Sequence, residues 1–274
     1  MLEFQLFRVK VFTPKIKQLF EEILTPPEYL KKAVLLKPSA ELRKNIFWHI
    51  GNISKIEESG LYFRIGRITK SKMEIFHNGN FIDQEFEFAP YTHVILLIPF
   101  EIIAIAKKSK LSSKPIGIAN NLVKLLNGLQ FSGINKLKFE ISEINDPTHF
   151  IEYLQSSLNI TKFWVSFKKP NAFDKDDFFK QLQDALSEAD GEKGKVTIEG
   201  EALNTHPLEE LARSAAATGD DASAWMRSTE DEKYHRKSLR KNPVIFQYEA
   251  ILDETDKLKL LIRIKDLYTK IRGK

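Results

Sequence analysis

A chain of 274 residues, 42% hydrophobic and 29% charged, has the composition of a globular protein with a real core, sized for one large domain or two smaller ones. It contains no cysteine, which excludes a disulfide framework, a thiol nucleophile, an iron–sulfur cluster and cysteine-ligated zinc. Its net charge of +5 is mild but unevenly spread: residues 1–130 hold 19 Lys/Arg against 12 Asp/Glu, residues 171–232 hold 6 against 16, and residues 233–274 hold 12 against 5. Basic ends therefore flank an acidic insert, an asymmetry that bears on partners rather than on fold.

Residues 2–12 read as a strand whose apolar positions begin at Leu2, Phe4 and Leu6 and then shift phase to Phe7, Val9 and Val11, as a bulge or burial on both faces would require. Pro14 opens a helical pattern to about residue 24, with Ile16, Leu19, Phe20 and Ile23 on one face. Pro26-Pro27 stops it, and short helices are predicted at 27–35 and 39–44. From 46 to 106 the pattern is β throughout, with strands at 47–56, 61–69, 72–76, 81–88, 93–98 and 101–106. The turns between them (Ser59-Gly60, Asn78-Gly79-Asn80, Pro90, Pro99) are short enough to favour an antiparallel meander.

Beyond residue 111 the rhythm changes. Helices are predicted at 116–126, 147–158 (N-capped by Asp146), 174–186, 207–217 (ended by Gly219) and 257–271. Strands are predicted at 136–144, 161–169, 195–202, 222–227 and 244–251. The expected class is α+β, a largely antiparallel N-terminal sheet followed by a β–α rich region, with domains at 1–112 and 113–274. The N-terminus lacks the apolar block of a signal peptide, and the most apolar stretch, 94–106, is broken by Pro99 and Glu101 short of the ~20 residues of a bilayer span. A cytoplasmic protein that does not span a membrane is expected.

The six histidines are not spaced as H-x-H, H-x₃-H or H-E-x-x-H, and no phosphate loop, G-x-G-x-x-G or G-x-S-x-G occurs. No cofactor and no metal site are expected from these motifs. Metal-dependent phosphodiester cleavage needs converging carboxylates. The best candidates are Asp190, Glu199 and Glu201 with His49 as a base, against a turn or helix-end role for each acid.

The basic clusters are more coherent. Arg64, Arg67, Lys70 and Lys72 fall along one strand pair, where Arg64, Lys70 and Lys72 share a parity. Lys107, Lys108, Lys110 and Lys114 follow the 101–106 strand with serines between them and no acid, and they are expected to surround one positive surface rather than pair with the acidic insert. Lys168 and Lys169 end the strand that carries Phe163 and Trp164. Arg236, Lys237, Arg240 and Lys241 form the densest run. Lysine and arginine interleaved with hydroxyls suit phosphate, though such runs also serve as plain solvated faces. With no RNP aromatic motif, zinc finger or GXXG loop, any nucleic acid would be read through its backbone.

The segment Thr161-Lys-Phe-Trp-Val-Ser-Phe-Lys-Lys-Pro170, followed by an acidic-start helix and the strand Lys195-Val-Thr-Ile-Glu199, stands downstream of His93–Leu97, Glu101-Ile-Ile-Ala-Ile-Ala106 and the 116–126 helix. This order of elements resembles the RexA phage-exclusion protein of lambdoid prophages and, more distantly, the KwaB subunit of Kiwa defence systems. The resemblance spans about the central half of the chain. It implies a cytoplasmic, homodimeric, DNA-binding sensor of antiviral defence that works with a membrane-embedded effector. The longer N-terminal sheet and the Ala-rich 211–217 helix depart from that pattern, and no site residue is carried over from the family. Three readings follow: a largely sequence-independent DNA-binding protein contacting duplex through both basic blocks, a metal-dependent nuclease, and an interaction module whose acidic segment 171–232 docks on a basic face.

Overall fold

The computed structural model describes residues 1–12, 24–129, 137–168, 182, 184–186, 188–189, 191–251 and 253–273. The class is α+β, with a large antiparallel sheet that starts at the N-terminus. Two compact units are assembled from separated stretches: unit 1 from Met1–Gln5, Val11–Ile141 and Gln247–Leu261, unit 2 from Leu6–Lys10, Ser142–Phe246 and Ile262–Lys274.

In unit 1, β1 (Leu2–Phe12) contributes its two ends. Phe4, Leu6, Phe7 and Val9 are fully buried, and so is nearly all of Gln5, Arg8 and Lys10. Burial on both faces is what shifts the apolar phase. After α1 (Pro26–Leu35), which buries Tyr29, Leu30, Ala33 and Val34, come β2 (Ser39–Arg43), β3 (Ile46–Ile56), β4 (Gly60–His77), β5 (Asn80–Phe88), β6 (Tyr91–Leu97) and β7 (Ile102–Ala106). The sheet runs β1–β7–β6–β4–β3–β2, and β5 pairs with β4. Residues 101–141 add α2 (Pro115–Asn127), with Ile118, Ala119, Leu122, Leu125 and Leu126 buried on one stripe, and the start of β8 (Lys138–Glu143).

Two expectations are corrected here, and a third lies almost wholly outside the described residues. The helix expected at 39–44 is strand β2, because Ser39, Ala40 and Glu41 pair with His49, Trp48 and Phe47 of β3, and a cross-strand ladder overrides weak local propensity. The strands expected at 61–69 and 72–76 are one continuous β4. Its distal half, with β5, forms a two-stranded arm held by the ladder from Thr69–Phe88 to His77–Asn80. The expected helix at 14–24 falls almost wholly outside the described residues.

In unit 2, α3 (Thr148–Ser156) leads to β9 (Asn159–Lys168), β10 (Lys193–Glu199), α4 (Thr205–Thr218), β11 (Ala222–Arg227) and β12 (His235–Ser238). β13 (Ile245–Tyr248) and α5 (Glu254–Arg272) complete the chain. The sheet order is β10–β9–β11–β12, antiparallel throughout. Its inner face buries Phe163, Val165, Ala222, Ala224 and Met226; α4 packs on β9 and β11, and Phe150 of α3 meets Phe163 at 6.4 Å between ring centroids. The N-cap of α3 is Pro147 rather than Asp146, but Asp146, one residue earlier, accepts the Thr148 backbone N–H at 2.9 Å. Gly219 ends α4 at φ +67°, the left-handed cap that glycine adopts without strain. That cap aims Asp220 back at Lys10 in a buried 2.8 Å ion pair, with the Thr218 hydroxyl donating to the same carboxylate at 2.8 Å.

One further difference concerns unit 2. Strand β12 lies inside what reads in the sequence as a basic run. The helix expected at 174–186 falls mostly outside the described residues, although 182 and 184–186 are helical.

Candidate nucleic-acid interface

Antiparallel register decides which side chains of unit 2 share the outer face of its sheet. Residues directly opposite one another project to the same side. Trp164 of β9 is opposite Thr197 and Ser223, and Lys162 is opposite Glu199 and Trp225. Ser166 faces Lys195, Lys168 faces Lys193, and Trp225 faces Arg236. The outer face thus carries two tryptophans, five cations, several hydroxyls and the carboxylate of Glu199, which ion-pairs with Lys162, while that of Asp221 lies at its edge and accepts from the Ser238 hydroxyl at 3.3 Å. Trp225 is 37% exposed.

Trp164 is the centre of this face. The ammonium of Lys162 lies 5.5 Å from its ring centroid, that of Lys195 5.3 Å, and the Arg236 guanidinium 5.4 Å. Each is within cation–π range, and Arg236 is further held by donating to the Ser223 hydroxyl at 3.0 Å. A sheet has room for this because alternate residues of β9 point inward (Phe163, Val165, Phe167) and leave Lys162, Trp164, Ser166 and Lys168 outward. The result is an aromatic platform with positive charge fixed around it, chemistry suited to stacking an unpaired base while its phosphates meet Lys and Arg.

Of the positions expected from sequence, Lys168 and Arg236 lie on this face. Lys237 pairs in register with Ala224, so it projects to the inner side, where its ammonium sits 4.3 Å from the Tyr153 ring centroid. Arg240 is bound to Asp221 at 2.9 Å, Lys241 is exposed in a left-handed turn, and Lys169 lies outside the described residues. Three acids of the insert are paired within unit 2: Asp220 with Lys10, Asp221 with Arg240 and Glu199 with Lys162. Trp164, Trp225, Lys162 and Lys195 do not stand out as a group among the charge runs of the sequence. Their signal was the alternation Lys162-x-Trp164-x-Ser166-x-Lys168 against Lys193-x-Lys195-x-Thr197.

In unit 1 the basic residues fall into separate groups, one on the β4–β5 arm and one beside the turn that follows β7. Lys70 and Lys72 stand on the arm opposite Glu87 and Glu85, with Lys70 3.8 Å from the Glu87 carboxylate, so their field is offset. Lys107 pairs with Glu3 at 3.1 Å rather than with any acid of 171–232, while Lys108, Lys110 and Lys114 have no ion-pair partner among the described residues. Arg67 donates to the Lys110 carbonyl at 2.9 Å. Arg64 donates from Nε to the Tyr62 hydroxyl at 3.0 Å and lies 4.4 Å from the Tyr91 ring centroid. Because the Tyr62 oxygen accepts from Arg64, its proton is free to go to His93 Nδ1, 2.9 Å away.

Burial, and then the positive charges of Arg64 and Lys108, hold the His93 imidazole below its ordinary value of 6.5. The folded state therefore binds fewer protons than the unfolded one just below that pH, so the contribution is present above 6.5 and is lost as pH falls through this window. Denaturant midpoints should drop on acidification below 6.5, and His93→Gln should flatten the drop. An unchanged pH profile in that variant would assign the titration to another group.

The nuclease candidates are placed as follows. His49 lies on β3 opposite Ser39 and Gly66, Glu199 is paired with Lys162, Glu201 is exposed in the bend after β10, and Asp190 lies outside the described residues. Among the described residues, no three of His, Asp and Glu are grouped to hold a metal ion, and no helix is long and apolar enough to cross a membrane. Compared with known proteins, the chain matches no family model and no curated sequence.

Proposed function

We propose that this protein binds DNA with little regard to sequence, through the outer face of the unit 2 sheet, and that it takes single strands there in preference to duplex. The observation that carries the reading is Trp164 ringed by Lys162, Lys195 and Arg236 beside the exposed Trp225. A paired duplex hides its base faces, whereas an unpaired strand offers a π-face at every nucleotide and a phosphate between each pair. The resemblance to phage-exclusion proteins supports a sensing role in antiviral defence, as a cytoplasmic homodimer acting on a membrane-embedded effector.

The test is fluorescence anisotropy with single-stranded oligonucleotides of unrelated sequence, and with the matching duplex, across a salt series. Each phosphate contact on a single strand contributes roughly −0.7 to the slope of log K against log salt. The Lys195→Gln, Arg236→Gln double variant should flatten that slope by about 1.4 and weaken all sequences alike. Affinity that holds between about 50 and 200 mM salt, or that favours one sequence strongly, would overturn the reading. Tighter binding of duplex than of single strand would return the protein to backbone contacts alone.

A further inference from the structure

Unit 1 contains a cavity of about 530 Å³ between the base of the β4–β5 arm and the turn that follows β7. This is the size of a small-molecule site. Arg67, Lys107, Lys108 and Lys110 all line it, and no Asp or Glu does. Glu3 offsets Lys107 alone. Cations gathered around one concavity repel one another, and an anion bound among them relieves that repulsion.

The cluster is held in place by the fold. The Arg67 backbone N–H donates to the Pro90 carbonyl at 3.1 Å, and the N–H groups of Leu111 and Ser112 close the lysine turn on the Lys108 carbonyl at 2.9 and 3.1 Å. Thr92 ties β6 to the end of β7 by donating to the Ala106 carbonyl at 2.6 Å. Gly66 lets β4 pass close under this corner, since a Cβ there would meet the Pro90 oxygen at 2.7 Å. The Nε of Arg67 is buried with no hydrogen-bond partner among the described residues, a donor in want of an acceptor. The rim is aromatic, with Phe88 and Tyr91 44% and 42% exposed.

We infer that this cavity binds a nucleoside 5′-polyphosphate, with its phosphates on Arg67, Lys108 and Lys110 and its base against Tyr91 and Phe88. Bare phosphate would leave most of the volume unfilled, and a neutral ring would leave the cations uncompensated. The inference is independent of strand binding on unit 2, because none of its residues belongs to that face.

Calorimetry on the full chain tests it, with ATP, GTP, inorganic triphosphate, the free nucleosides and a 5′-triphosphorylated oligonucleotide as titrants. A nucleoside triphosphate should bind in the micromolar range, inorganic triphosphate about tenfold more weakly, and the free nucleosides not measurably. Lys108→Gln with Lys110→Gln, both exposed and safe for folding, should lower nucleotide affinity at least about tenfold, and Arg67→Ala should do the same. Tyr91→Leu should bring the nucleotide down to the affinity of inorganic triphosphate. If the oligonucleotide binds and free nucleotides do not, with the same dependence on Lys108 and Lys110, the ligand is the 5′ end of a strand and the chemistry stands. No binding by any triphosphate at about 1 mM, equal binding by the lysine double variant, or equal affinity for inorganic triphosphate and nucleotide would overturn the inference.

Discussion

Replacing Trp164 and Trp225 by alanine will lower affinity for a single-stranded oligonucleotide by about 1–3 kcal/mol for each base that loses its stacking partner, up to about a hundredfold per ring. The effect at Trp164 should be the larger. Its ring is also the surface against which Lys162, Lys195 and Arg236 are arrayed, so its loss frees three cations as well as a platform. Both rings project from the outer face, opposite Phe163 and Val165, so the inner packing is retained and the thermal midpoint should move little. Quenching of tryptophan fluorescence on strand addition reports the same contacts directly. The third tryptophan, Trp48, is 3% exposed and serves as an internal standard. An affinity unchanged within about twofold in the double variant would mean that strands, if bound, do not stack on this sheet.

The largest stability effect is expected at Asp220. Lys10 and Asp220 are 3% and 7% exposed in a 2.8 Å pair within unit 2. Asp220→Asn takes the 2.8 Å ion-pair partner from the buried Lys10 ammonium, the kind of loss that costs about 3–5 kcal/mol at a buried pair. Against a typical domain stability of about 5–15 kcal/mol, Asp220→Asn should shift the denaturant midpoint far more than Asp221→Asn. Asp221 is more exposed, at 18%, and its partner Arg240 is 67% exposed, so that pair contributes little. A loss under about 1 kcal/mol in Asp220→Asn would show that water reaches the pair.

Local signals carried much of the architecture. The span 2–12, the strand at 222–227 and the Gly219 stop coincide with what is observed, and the helices at 116–126 and 207–217 differ only at their ends. These elements declare themselves through apolar periodicity and cap chemistry within a dozen residues. Residues 39–44 and 235–238 do not. Each is a short polar stretch that becomes a strand because a neighbouring strand offers a ladder: β3 to Ser39, Ala40 and Glu41, and β11 to the basic run.

The site follows the same division. By itself the sequence determined an α+β chain with a cysteine-free composition, basic ends and an acidic insert, and of its fourteen basic candidates Lys168 and Arg236 stand on the outer face of the unit 2 sheet. Only the tertiary structure decided which charges are spent internally and which stand together. Lys70 and Lys72 meet Glu87 and Glu85 across a hairpin, Arg240 meets Asp221, and Lys237 turns inward to Tyr153. Trp164, Lys195, Trp225 and Arg236 come from four different strands and meet on one face because antiparallel register, a property of pairing between distant segments, sets the direction of every side chain.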